Sequence, residues 1–323
     1  MAKKTVEIPE RYQLRLTVSA SPHLRAGIEI PRVMFDVLIA LAPALIGAVY
    51  FFRLGAVKVV AACVISSVAT EYVCSKWLFG KRVVIDDWSA VLCGLLLAFC
   101  LPPTTPIWAS AIGGMCAIFF GKMVFGGLGQ NIFNPALVGR AILLMSWPVA
   151  MTTWTTPIDG VTSASPLAIV KQGLKDVPLP GYWDLFIGNV PGSLGETSAL
   201  LLLIGGVYLL YRKVITWHIP VAFIGTVAVM SGLLSRDPVF EILAGGVFLG
   251  AFFMATDMVT SPLTRKGQLI FGIGCGVITC VIRSFGGYPE GVCYSILVMN
   301  AVTPLIDRFT VPREFGRVRG KNK

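Results

Sequence analysis

Three small hydroxyl residues, Thr162, Ser163 and Ser165, fall within four positions of a chain that is otherwise 55% apolar and only 14% charged. They stand in Asp159-Gly-Val-Thr-Ser-Ala-Ser-Pro-Leu-Ala168, after an acid and before a proline. Such a cluster can make turns, accept a sugar or phosphate, or anchor a prosthetic group through an ester. Turn-making is the plainest use, because Asp159-Gly160 and Ser165-Pro166 are turn dipeptides. An ester needs one accessible hydroxyl, and Ser165 or Thr162 would supply it. A second stretch, Gly188-Asn-Val-Pro-Gly-Ser-Leu-Gly-Glu-Thr-Ser198, leads into an apolar run. A glycine-rich turn opening a helix offers free N–H groups to an anion. It also reads as an ordinary capped helix start, with Ser193 or Thr197 as cap. Glu196 is awkward beside an anion and points instead to N–H capping or to ion handling.

Acids in apolar surroundings are the other chemical signal, since they are costly in lipid. Asp257 precedes the broken segment Thr260-Ser-Pro-Leu-Thr264 and is a candidate for an ion pathway, as is Glu290. Glu290 and Glu241 also suit helix N-termini, where an anion is favoured. Glu71 reads as snorkelling to an interface, and Asp86-Asp87 as a helix cap. The eight cysteines sit in or beside apolar runs without a Cys-x-x-Cys pair, so they read as packing residues. Two histidines, His23 and His218, leave no paired haem ligands and no metal site is expected.

The elements that hold these residues are built for lipid. Runs of about 20 apolar residues cross a bilayer. Ten candidate runs occur, near 33–52, 55–74, 88–101, 107–125, 134–149, 197–211, 214–234, 238–258, 268–284 and 290–307. The reading is an all-α polytopic membrane protein of about ten spans. The net charge of +10 is distributed for a membrane and not for nucleic acid. With a cytoplasmic N-terminus, 19 Lys/Arg fall on the inner side and six on the outer. That asymmetry follows the positive-inside rule and places both termini in the cytoplasm. No cleavable signal peptide is expected in the polar first 30 residues.

Weak internal similarity divides the spans. Gly47-Ala-Val-Tyr-Phe-Phe-Arg53 resembles Gly206-Val-Tyr-Leu-Leu-Tyr-Arg212, and Phe125-Gly-Gly127 recurs as Phe285-Gly-Gly287, at offsets of 158 and 160 residues. Two five-span repeats must be inverted relative to each other, with sites near the midplane where helices break. The expected organisation is an N-terminal tail 1–32, a first membrane repeat 33–147, an extracytoplasmic loop 148–196, a second repeat 197–307 and a basic tail 308–323.

The hydroxyl stretch resembles the flavin-attachment motif of the RnfD/NqrB family, usually Asp-x-x-(Ser/Thr)-Gly-Ala-Thr. Five other blocks match in order around it. They are Ser-Pro-His-Leu-Arg25, Gly-Gln-Asn-Ile-Phe-Asn-Pro-Ala-Leu-Val-Gly-Arg140, Phe-Met-Ala-Thr-Asp257 and Phe-Gly-Gly-Tyr-Pro-Glu-Gly291, with Pro-Gly-Ser-Leu-Gly-Glu-Thr-Ser198 as a fifth. Length and a short N-terminal tail favour the RnfD branch. The resemblance implies FMN joined through its phosphate to Ser165, with Thr162 as fallback and Asp159, Thr162, Ser163 and Ala164 as the surrounding motif. Ser163 replaces the motif glycine and Ser165 the threonine. The loop residues Gly192, Ser193, Gly195, Glu196 and Ser198 are implied on the cofactor side. The resemblance further implies one subunit of an ion-translocating (Na⁺ or H⁺) ferredoxin:NAD oxidoreductase in a bacterial inner membrane, incomplete alone. Its partners would be an extracytoplasmic FMN subunit, iron–sulfur subunits and a maturing flavin transferase. It leaves room for a second, non-covalent riboflavin. The rival reading is a cofactor-free channel or secondary transporter with an inverted repeat.

Overall fold

The structure is a computed structural model that describes residues 29–78, 80, 86–157, 160–173, 179–196, 198–288 and 290–311. Asp159, Thr197, the Ser-Pro-His-Leu-Arg25 block and most of both charged tails lie outside the described residues. Four helices are long and apolar enough to cross a membrane: α1 (Ile30–Phe52), α2 (Leu54–Val73, continued by a π-helical turn at Cys74–Leu78), α13 (Arg265–Phe285) and α14 (Val292–Thr310). At 1.5 Å per residue, the 23 residues of α1 span about 35 Å, enough for a hydrocarbon core of about 30 Å.

Five further apolar helices are shorter: α3 (Ser89–Phe99), α4 (Ile107–Ile118, followed by a π turn at Phe119–Met123), α5 (Pro135–Ser146), α9 (Ala199–Tyr211) and α10 (His218–Leu233). With 11 residues, α3 reaches about 16 Å, half a bilayer. Nine of those residues are buried, so α3 is wrapped by protein on all sides rather than facing lipid. Helices α4, α5, α9 and α10 instead bury one face and expose apolar residues such as Trp108, Met145, Tyr211 and Leu233 on the other.

The remaining elements depart from expectation in two places. The segment expected as a span over 238–258 is broken into α11 (Pro238–Leu243), α12 (Val247–Leu249) and a π turn at Gly250–Met254. Gly245 takes φ 72° in the break, a left-handed conformation that suits glycine. The connection between the halves is not featureless either. It carries α6 (Pro148–Thr152), a two-residue antiparallel pair of β1 (Trp154–Thr155) and β2 (Thr162–Ser163), then α7 (Pro166–Gln172) and α8 (Tyr182–Ile187). The protein is therefore mainly helical with one small sheet, not wholly α.

Packing follows small residues. Helices α10 and α13 lie together along Gly272-x-x-x-Gly276, where an added Cβ would stand 2.9 Å from the Ile219 carbonyl oxygen and 3.0 Å from that of Phe223. Lipid gives no hydrophobic drive between helices, so close backbone approach of this kind supplies the contact. Helices α1 and α9 cross at Gly205, where an added Cβ would collide with the Ala40 carbonyl oxygen. Helix α2 packs on α3 and α4, α4 on α5, and α13 on α14. The two Phe-Gly-Gly triplets do not share a conformation: Gly126 and Gly127 have φ of 118° and 109°, while Gly286 has φ −72°.

Candidate functional site

Ser165 is the N-cap of α7, and its hydroxyl accepts a hydrogen bond from the Ala168 N–H at 3.2 Å. Pro166 at the first helical position fixes the entry, and Gly173 ends the helix in a left-handed turn. Lys171 docks α7 onto the end of α13, where its ammonium donates to the carbonyls of Gly286 (2.5 Å) and Tyr288 (2.8 Å). Ser165 is thereby buried, 4% exposed, so its hydroxyl becomes accessible only if the start of α7 moves, whereas Thr162 on β2 is the accessible hydroxyl of the cluster and Ser163 and Ala164 are half-buried.

The glycine-rich loop reaches the same place by another route. The N–H groups of Leu194 and Gly195 donate to the carbonyls of Leu101 (3.1 Å) and Phe99 (3.0 Å), stitching the loop to the end of α3. An added Cβ on Gly195 would strike the Phe99 side chain. Thr197 lies outside the described residues, and Ser193 does not cap α9. That role belongs to Ser198, which accepts from the Leu201 N–H at 3.4 Å.

Four distant stretches converge as a result. Ser165, Gly192, Gly245, Glu196 and Glu290 line one small cavity, the motif cavity. Glu196 and Glu290 also line a neighbouring small cavity, the arginine cavity, with Arg140, Arg283, Cys100 and Cys293. Glu290 pairs with Arg140 at 3.5 Å, across 150 residues of sequence. Burial, then the nearby Glu290 carboxylate, pushes the loop residue Glu196 up to about 8, against the pull of Ser193, Arg140 and Arg283.

Behind Glu290 stands an ion pair that the sequence pattern does not reveal. Arg283 is 2% exposed in α13, not on a loop as its charge suggested. Its guanidinium donates to the Glu241 carbonyl (2.6 Å), the Glu241 carboxylate (2.7 Å) and the Ala244 carbonyl (3.0 Å). It thus satisfies carbonyls that α11 leaves open where the chain breaks. Glu241 lies in the first turn of α11, as expected of an acid suited to a helix N-terminus, and is also a buried partner of Arg283 and Arg236.

The other acids sit elsewhere. Asp257 does not meet Glu290: it follows the π turn after α12, accepts from the Thr260 hydroxyl at 3.1 Å, and lines a separate cavity of about 790 Å³ with Ser89, Lys122, Asn131 and Asn134. Glu71 does not snorkel. It is buried and receives the Lys122 ammonium at 2.5 Å, while Lys122 also reaches Ser89 at 2.6 Å. Asp87 caps as expected, accepting from the Ser89 N–H at 3.0 Å. Asp36 of α1, unremarked in the sequence, pairs with Arg212 at 2.9 Å. All eight cysteines are free thiols, and among the described residues no group of three or more His, Cys, Asp or Glu could hold a metal ion.

The motif cavity suits an esterified phosphate in one respect and limits it in another. The Ser165 oxygen already accepts from the Ala168 N–H, so a phosphate oxygen there would meet that donor. The cavity leaves room for about one water-sized group, so a flavin ring would lie outside it.

Four helices long and apolar enough to cross a membrane, within a mainly helical chain, mark a polytopic membrane protein. Residues 17–316 match the NQR2, RnfD, RnfE family, and the chain belongs to that family. It is 52% identical over 315 residues to the D-type subunit of the Na(+)-translocating ferredoxin:NAD(+) oxidoreductase complex of Acetobacterium woodii, covering 96% of this chain and 98% of that one. It is 51% identical over 321 residues to the D-type subunit of the proton-translocating ferredoxin:NAD(+) oxidoreductase complex of Clostridium ljungdahlii, covering 94% and 97%. The corresponding subunit of an ion-translocating oxidoreductase complex from Halorhodospira halophila is 40% identical over 341 residues, covering 93% and 95%.

Proposed function

We propose that this chain is the D-type membrane subunit of an ion-translocating ferredoxin:NAD oxidoreductase complex, carrying FMN esterified to Ser165. The subunit assignment is supported by the family match and by relatives named as D-type subunits over nearly their whole length. The observation that carries the attachment site is the convergence of Ser165, Gly192, Glu196 and Glu290, from three separate stretches, on one cavity. FMN would supply one-electron redox chemistry; the chain supplies position, charge and exclusion of water.

In this reading Ser165 fixes the phosphate at the start of α7, and the Lys171 contacts hold that helix against α13. Gly192 and Gly245 leave room for the linkage, while Arg140 and Arg283 offset the carboxylates behind it. The ring lies outside the motif cavity, on the extracytoplasmic side, against solvent or an FMN-bearing partner subunit. Iron–sulfur subunits complete the electron path and a flavin transferase installs the cofactor. The two membrane halves act as inverted five-span repeats, with both termini cytoplasmic in a bacterial inner membrane. The mostly apolar cavity beside Lys122 and Asp257 is where a second, non-covalent riboflavin would enter, with its walls giving way to admit the ring.

Denaturing-gel fluorescence and peptide mass spectrometry test the attachment. Ser165→Ala abolishes the covalent flavin while Thr162→Ala keeps it. Loss only in Thr162→Ala moves the site to the fallback residue. A chain with no flavin adduct at all favours the cofactor-free transporter.

A further inference from the structure

The two carboxylates shared by the motif and arginine cavities have no task in fixing a phosphate, and their neighbours show what they can do. Around them stand Arg140 from α5, Arg283 from α13, Glu241 of α11 behind Arg283, Cys100 at the end of α3, Cys293 of α14 and Ser193 of the glycine-rich loop. Arg283 is matched by Glu241 and Arg140 by Glu290. Glu241 is shared by Arg283 and Arg236, while Glu196 forms no ion pair among the described residues and, when ionised, adds a second carboxylate beside Glu290. Unpaired buried charge is expensive, and a proton on Glu196 removes it.

A second observation points to a route for that proton. Arg140 is 4% exposed, lines the arginine cavity, and has one nitrogen, Nη1, without a hydrogen-bond partner among the described residues. An orphaned donor in a polar cavity of that size calls for water, and water between a guanidinium and carboxylates carries protons. Glu196 faces that cavity on one side and the Ser165 cavity on the other.

We propose that Glu196, backed by Glu290, is a proton-binding site linked to reduction of the group attached at Ser165. The inference rests on the flavin reading. When one electron arrives from the partner electron carrier, the added negative charge beside Glu196 raises its affinity for a proton. The proton comes from cavity water and forms an O–H bond on the Glu196 carboxylate. When the electron leaves, that bond breaks and the proton returns to water. One electron and one proton are thus taken up and released together, and the net charge of the cluster and the attached group together does not change. Burial already lifts Glu196 to about 8, so below that pH the carboxyl is protonated in both redox states and the linkage is silent. Above it, reduction draws in the proton.

The test uses the assembled complex with the covalent flavin verified by mass in every variant. A chain without the adduct refutes the flavin reading and leaves nothing to titrate; that outcome is distinct from failure of the linkage. The midpoint potential of the covalent flavin is then followed from about pH 6 to about pH 10, bracketing a carboxyl shifted well above its usual range. The wild-type equilibrium should change tenfold per pH unit above about pH 8, some 59 mV for one electron, beyond any slope kept by Glu196→Gln. Glu290→Gln, which removes the competing carboxylate but not Glu196, should retain the extra slope and move its onset to lower pH. Buffer-dye measurement of proton uptake on reduction should lose about one proton in Glu196→Gln. Equal slopes and equal proton uptake in wild type and Glu196→Gln overturn the proposal.

Discussion

Replacing Arg283 by methionine removes a charge while keeping much of the side-chain volume, and its cost follows from the contacts. The guanidinium serves two carbonyls and one carboxylate at 2.6–3.0 Å, all buried. Without it the Glu241 carboxylate keeps only Arg236, at 3.1 Å and with that side chain 26% exposed. Two carbonyls at the break after α11 also lose their donor. Removing one partner of a buried pair costs about 3–5 kcal/mol. Because Arg236 remains, the lower end applies, about 3 kcal/mol. Denaturant unfolding in mixed micelles, followed by tryptophan fluorescence, reads the loss as a lower midpoint at an unchanged slope. Adding Glu241→Leu should restore at least half of the stability, since no buried carboxylate is then stranded. A single-variant cost below about 1 kcal/mol, or a double variant as unstable as the sum of the two singles, would refute the reasoning.

Other expectations are independent of that pair. Glu196 binds its proton up to about pH 8 when folded, against an ordinary value of 4.5, so the folded state holds more protons than the unfolded one between those limits. Stability therefore falls as pH rises from about 4.5 to about 8 and levels off above, and Glu196→Gln removes that component from the micellar unfolding curve. Gly205→Leu forces atoms into the space held by the Ala40 carbonyl and should separate α1 from α9, seen as loss of monodisperse protein on size exclusion. Lys122→Met strands the buried Glu71 at a cost of about 3–5 kcal/mol, and Glu71→Gln in the same chain recovers part of it.

Most of the architecture could be read from apolar runs, because lipid imposes length and composition directly on each span. The boundaries of α1, α13 and α14 fall within a few residues of the apolar stretches that foretold them. The run over 238–258 misled because composition cannot see backbone: its apolar residues are continuous, yet Gly245 breaks the helix and Arg283, about 40 residues away, stabilises the break. The charged residues were the hardest to read. Arg283 and Glu71 looked like loop or interface charges since their partners, Glu241 and Lys122, are 42 and 51 residues distant. Only folding brings such pairs together. In the candidate site, the motif loop and the glycine-rich loop were each visible as local patterns, but their meeting with Glu290 was not. Asp257 and Glu290, grouped in sequence as acids near apolar runs, turn out to face different cavities.

The central claim is an ester on Ser165, and one mass decides it. The chain purified from its native host, with peptides mapped, should weigh one FMN phosphoester more than its amino acids, on the peptide containing Ser165, and Ser165→Ala should lack the increment. A wild-type chain of unmodified mass, or an increment that survives in Ser165→Ala, would contradict the account.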